Sequence, residues 1–170
     1  TMDATTGEVA GASVQIGDPI VEKLLIDVLV GAEDMYSAIT DCGAGGLSSA
    51  VGEMAEGVGA DVDLALVPRK YPGLEPWEVW LSEAQERMVV SVPPRGVSAL
   101  ARRCEKAGVE WADIGSFTGD GVLIVRNDGE KVAELDTEFL HAGRPQREMN
   151  ATLPDPQRSD PTGRTVEDPA

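Results

Sequence analysis

The chain has 170 residues, 42% of them apolar, which is enough for one ordinary domain with its own core. Its formal charge of −16 and pI near 4.3 exclude broad contact with nucleic acid or an anionic membrane, because both need a surplus of Lys and Arg. No apolar run approaches the roughly 20 residues that span a bilayer, so no membrane contact is expected. Residues 1–13, TMDATTGEVAGAS, lack the basic start and apolar core of a signal peptide. Two cysteines, Cys42 and Cys104, are too few for a disulfide framework or a zinc site, and a reducing cytoplasm is the expected compartment.

Residues 1–13 are small and polar and read as a loop or a severed connection. Gly17-Asp18-Pro19 then opens a helix whose apolar stripe is Ile20, Leu24, Leu25, Val28 and Leu29, with Asp18 as cap and Pro19 in the first turn. Residues 37–41 form a short strand ending at Asp41, and Leu47, Val51, Met54 and Ala55 make a second helical stripe that stops at Gly57. DVDLALV, residues 61–67, alternates with period two as a half-buried strand does. EPWEVWLSEAQ reads as a short helix or turn, and RMVVSVPP as a strand halted by Pro93-Pro94. Val97, Leu100, Ala101 and Cys104 make a third stripe, with Arg102, Arg103, Glu105 and Lys106 facing water. Three strand candidates follow: VEWADIGSF, GVLIVRN and KVAEL, the last two joined at Asp128-Gly129 by a hairpin turn. Residues 146–170 are rich in proline and polar side chains and read as a disordered linker or tail. One domain over residues 14–145 is therefore expected, of class α/β (α+β): a layered, mixed β-sheet with flanking helices.

Three segments carry candidate chemistry. In TDCGAGGLSSAVGEMAEG, an acid ends a strand and Gly43, Gly45 and Gly46 turn the chain into a helix. Such a corner sets free backbone N–H groups and the positive helix end beside a carboxylate, and it could hold a phosphate with its magnesium ion, Asp41 serving as a hard oxygen ligand. From spacing alone, an ordinary tight turn in which the glycines let the helix pack close to the sheet and Asp41 caps the helix is the simpler account. In SEAQERM, residues 82–88, Glu83, Gln85, Glu86 and Arg87 crowd against an apolar strand; they could orient a polar substrate or form a solvated turn with an internal Glu-Arg pair. In VQIGDP, Gln15 could reach a ligand at the following helix start or simply lie in water.

Other candidates are weaker. His141, the sole histidine, follows the last strand and reads as a surface residue, so no histidine triad or histidine-rich metal site can form. Trp77 and Trp80 read as packing residues. Cys104 faces the core, and Cys42 has no basic neighbour in sequence to mark a reactive thiolate.

Taken together, VQIGDP, DCGAGGLSSAVGEMAEG, DVDLALVP and PGLEPWEVWLSEAQERM resemble phosphoribosylformylglycinamidine synthase, from about Val14 to Leu140. The region resembled is the C-terminal-type domain of the AIR synthase-related superfamily, a layered α/β unit. The resemblance implies a ligase of purine synthesis. It would use ATP and Mg2+ to activate the amide of formylglycinamide ribonucleotide, and ammonia from a glutaminase subunit or domain to complete the amidine. It further implies that Gln15 and the run Glu83, Ala84 and Gln85 contact substrate, that Asp41 binds magnesium, and that the glycine corner faces phosphate. Family members often carry serine at the position of Ala84, which removes a hydroxyl contact here.

The nucleotide-binding half that carries the family's catalytic histidine and most of its ATP site has no counterpart in residues 1–13. The expectation is accordingly an excised domain that needs this missing half as partner, is inactive alone, and leaves room for a homo-oligomer. Two alternatives stay open: another superfamily enzyme, of selenophosphate synthetase or thiamine phosphate kinase type, and a non-catalytic interaction module.

Overall fold

A computed structural model describes residues 18–69, 72–145 and 147–152. The expected loop at residues 1–13, the domain start with Gln15, and residues 153–170 of the expected tail lie outside the described residues. Residues 147–152 carry neither helix nor strand and are exposed.

Helix α1, Pro19–Leu29, starts as its residues dictate: the Asp18 carboxylate accepts from the backbone N–H groups of Ile20 and Val21, and Pro19 fills the first turn. Its expected stripe is only partly covered, with Val28 buried and Ile20 71% exposed. Strand β1, Ala38–Cys42, leads through the glycine corner into α2, Gly46–Met54, which buries Leu47, Ala50 and Val51. Then come β2, Ala60–Asp63, a 3-10 turn at Leu64–Leu66, and α3, Pro76–Leu81. Strand β3, Ala84–Ser91, is followed by α4, Pro94–Ala107, which ends at Gly108 in the left-handed conformation. The chain closes with β4, Gly115–Phe117, β5, Val122–Asn127, β6, Glu130–Asp136, and the short α5, Thr137–Ala142.

The α+β class holds, but the strands divide between two sheets. β1 and β3 form an antiparallel pair, and β4-β2-β5-β6 form a mixed sheet in which β2 and β5 run parallel. Alternation along β3 gives the pair a role between two cores. Val89 packs on the larger core, which holds Cys42, Leu47, Leu64, Val79 and Leu123, whereas Val90 packs on a smaller one built from Val28, Ala32, Leu100 and Cys104. Each of Leu47, Leu64 and Leu123 is at least 98% buried, worth about 1.5–3 kcal/mol against full exposure. No helix among the described residues is long and apolar enough to cross a membrane.

Four local expectations are corrected by specific contacts. DVDLALV is a strand only as far as Asp63, because that carboxylate accepts from Ala65 N–H and draws the chain into a 3-10 turn. It also accepts from the N–H groups of Asp128 and Gly129, tying the β5–β6 turn to the end of β2. VEWADIGSF shrinks to Gly115–Phe117, where Gly115 backs onto β2 so closely that a Cβ would stand 2.1 Å from the Asp61 carbonyl oxygen. Arg103 does not face water: its guanidinium donates to the carbonyls of Val30 (2.7 Å), Asp27 (3.3 Å) and Gly31 (3.4 Å), closing the C-terminus of α1. His141 is half-buried rather than a free surface residue, with Nε2 3.0 Å from the Gly52 carbonyl oxygen. Trp80 packs on the core as expected, whereas Trp77 is 55% exposed.

Candidate functional site

The site is built where β1 and β3 end together. Asp41 pairs with Met88, but the next residue, Cys42, pairs with Ala84, so Gln85, Glu86 and Arg87 are accommodated opposite no β1 partner. A bulge of this kind bends its strand and re-aims what it carries. Here it brings Ser82, Glu83 and Ala84 against the glycine corner, although the two segments are about 40 residues apart.

Three glycines make that approach. Gly45 has φ of 84° and Gly46 of 56°, both left-handed, and no side chain caps the start of α2. The reading of Asp41 as helix cap is thereby set aside. A Cβ on Gly46 would stand 2.3 Å from the Ser82 carbonyl oxygen, so the helix start is pressed against the backbone that leads into β3. A Cβ on Gly43 would stand 2.7 Å from Asp41 Oδ2, so the turn folds back over the carboxylate and leaves it room. Asp41 itself is exposed and borders a shallow depression with Glu22, Ile39, Thr40 and Met88.

The SEAQ run meets this corner directly. Glu83 is half-buried, and its Oε1 accepts from Gly45 N–H at 3.4 Å. Ala84 is 4% exposed and pairs with Cys42 in the β1–β3 ladder. Gln85 lies in β3 within the bulge. The structure thus brings together Asp41, Gly43, Gly45, Gly46, Glu83, Ala84 and the Gln85 backbone, while Gln15 is outside the described residues.

Two contributors were not legible from spacing. Ser82 is 2% exposed, and its carbonyl oxygen accepts from Arg87 Nη2 at 2.7 Å. The same Arg87 is the basic neighbour that Cys42 lacks in sequence, although burial pushes the Cys42 thiol up by more than Arg87 offsets. The polar density of SEAQERM was the available signal for Arg87; its target depended on the bulge.

The donor set fits a magnesium ion only in part. Among the described residues no group of three or more His, Cys, Asp or Glu side chains could hold a metal. Asp41 offers one hard oxygen ligand, which suits an ion that keeps waters and phosphate oxygens for the rest of its octahedron, and does not make an all-protein cage.

Comparison with known proteins places this geometry in a family. Residues 2–127 match the model of the AIR synthase related protein, C-terminal domain. Among curated relatives, the phosphoribosylformylglycinamidine synthase subunit PurL of Methanopyrus kandleri is 37% identical over 161 residues, covering 87% of this chain and 22% of its own length. That of Moorella thermoacetica is 44% identical over 133 residues, covering 75% of this chain and 18% of its own. Among solved structures, Thermotoga maritima PurL complexed with FGAR is 32% identical, with a TM-score of 0.75 over 83% of this chain and 24% of that one. The structure of PurLQS from the same organism gives a TM-score of 0.76 at 32% identity, over 87% of this chain and 26% of that one. The chain therefore spans about a fifth of the curated relatives' length and about a quarter of the solved chains. By sequence and by fold, this chain belongs to the AIR synthase-related C-terminal domain family.

Proposed function

We propose that this chain is the substrate- and magnesium-binding domain of phosphoribosylformylglycinamidine synthase, the ATP- and glutamine-dependent ligase that converts formylglycinamide ribonucleotide to its amidine. The observation that carries the reading is the meeting of the acid-glycine corner with the SEAQ run across the β3 bulge. It occurs in a domain whose solved neighbours include PurL complexed with FGAR and PurL complexed with ATP.

In this reading Gln15 and the run Glu83 to Gln85 contact the ribonucleotide, Ala84 without a side-chain hydroxyl. Glu83 accepts hydrogen bonds from ligand N–H or O–H groups, and Gly43, Gly45 and Gly46 let the backbone approach phosphate closely. Asp41 offers its oxygen to magnesium. Magnesium and ATP, when bound, supply charge neutralisation and the phosphoryl group that activates the substrate amide. Most of the ATP site belongs to the nucleotide-binding half of the ligase, and ammonia to a glutaminase partner, a role that the likeness to PurLQS supports. With one metal-ligating carboxylate in the corner, the isolated chain has no ATP-dependent turnover.

The test is titration calorimetry of the 170-residue chain with formylglycinamide ribonucleotide, with and without Mg2+, repeated on Gln15→Ala and Asp41→Ala. Binding that falls at least tenfold in Gln15→Ala, and loses its magnesium dependence in Asp41→Ala, is the expected result. Binding indifferent to both substitutions, or ATP turnover above background by the chain alone, overturns the reading.

A further inference from the structure

We infer that Arg87 is a positioning residue of this corner: through the Ser82 carbonyl, its guanidinium sets the placement of both the glycine turn and the Glu83 to Gln85 run. The inference rests on reading those two segments as ligand contacts, and it adds a residue that acts on them from behind.

The argument starts with the bulge. Between the Cys42–Ala84 and Asp41–Met88 pairs, β3 carries three residues that β1 does not match, so the regular ladder cannot hold that stretch in place. Arg87 closes it by donating from Nη2 to Ser82 O, five residues back, at 2.7 Å. This oxygen is also the atom against which Gly46 is pressed, a Cβ there being 2.3 Å away. One residue further on, Glu83 accepts from Gly45 N–H. Three contacts therefore converge on Ser82 and Glu83: Gly46 against the Ser82 carbonyl and Gly45 N–H on the Glu83 carboxylate, both from the glycine turn, and Arg87 on the Ser82 carbonyl.

A purely space-filling role does not call for a guanidinium here. Arg87 is half-buried, and its Nε is buried with no hydrogen-bond partner among the described residues, a cost that an apolar side chain of similar length would avoid. What an apolar side chain cannot do is donate to Ser82 O across the bulge. A charged donor with fixed fork geometry does so with defined direction.

Hydrogen–deuterium exchange on the full chain decides the matter, comparing wild type, Arg87→Met and Arg87→Lys, alongside calorimetry with formylglycinamide ribonucleotide. In Arg87→Met, exchange across residues 82–86 and at Gly45 should accelerate at least tenfold while the amides of Leu100 to Cys104 in α4 stay at wild-type rates. Affinity for the ribonucleotide should fall at least tenfold. Arg87→Lys, which can still offer one N–H to Ser82 O, should restore part of both, and it carries the comparison alone if the Met variant does not fold. Wild-type exchange at Gly45 and residues 82–86 in the variants overturns the inference, as does equal acceleration throughout α4. If wild type binds no ribonucleotide, the proposed function fails while the exchange pattern still decides the role of Arg87.

Discussion

Replacing Gly46 with alanine probes how the corner is assembled. The new Cβ would stand 2.3 Å from the Ser82 carbonyl oxygen, 2.8 Å from the Ser82 carbonyl carbon and 2.9 Å from that of Leu81, all backbone atoms that cannot rotate away. The residue must also hold φ of 56°, which costs an alanine about 1–2 kcal/mol. Relieving the overlap requires α2 and the Leu81–Ser82 backbone to part, and overpacking of this sort costs about 1–3 kcal/mol. The sum, about 2–5 kcal/mol, is a large share of the roughly 5–15 kcal/mol that hold a native domain together. With a urea slope of about 1–3 kcal/mol per molar, the unfolding midpoint should fall by on the order of 1–3 M. Gly57→Ala is the matched control: its φ is 68°, but nothing lies within 4 Å of the new Cβ, so strain acts alone. Urea titration followed by fluorescence of the three tryptophans gives both midpoints. Equal losses in the two variants would refute the claim that backbone contact with Ser82 sets the corner.

Arg126 donates to both Asp61 oxygens at 2.7 Å, and this holds the Asp61 carboxyl below the usual range. A carboxyl lowered in the folded state contributes stability above its unfolded value near 4 and loses it as pH falls through the folded value. The urea midpoint should therefore decline below about pH 4, and Asp61→Asn should show a shallower acid limb than wild type; parallel limbs would count against the pair. Asp63 and Asp120 are lowered too, first by bonds from Ala65 N–H and the Thr118 hydroxyl respectively, so part of the limb survives in that variant. Arg103→Ala should cost about 1–2 kcal/mol, because three carbonyls at the end of α1 lose a charged donor. An unchanged urea midpoint would show those contacts to be ornamental. Cys42 and Cys104 are both buried, and burial pushes both thiols up, so a chromogenic disulfide reagent should label neither faster than the chain unfolds. Stoichiometric labelling within seconds in buffer would contradict this.

Features set by neighbours in sequence were legible, and features set by distant partners were not. Asp18-Pro19 starts α1 and Asp128-Gly129 turns the last hairpin, because each depends on the conformational preferences of its own few residues. The strand reading of DVDLALV ran on past Asp63 into a single 3-10 turn, because period-two alternation says nothing of a side chain that bonds backbone two residues on, as Asp63 does. That β1 and β3 would form their own pair, with a bulge opposite the acid, follows from register, which no local pattern encodes. The same limit applied at the site. Asp41 and its glycines announced a corner, but only the bulge brings Glu83 to Gly45 and Arg87 to Ser82.

The charge balance gives the corner its logic. A formal charge of −16 disfavours an anionic ligand, and an exposed Asp41 at the mouth of the glycine turn adds to that. Arg87, the cation within the corner, is turned inward onto Ser82 and Cys42. In the proposed reading, the attraction available to a phosphate is the start of α2, where Gly45 brings no capping side chain of its own although Glu83 takes its N–H, together with whatever cation Asp41 can recruit. An acid in that position opposes phosphate binding by itself and favours it once a divalent ion bridges the two. In the proposed reading, Asp41, the glycine turn and the inward-facing Arg87 are then parts of one arrangement, in which the protein would supply shape and a single oxygen ligand while the ion would supply the charge.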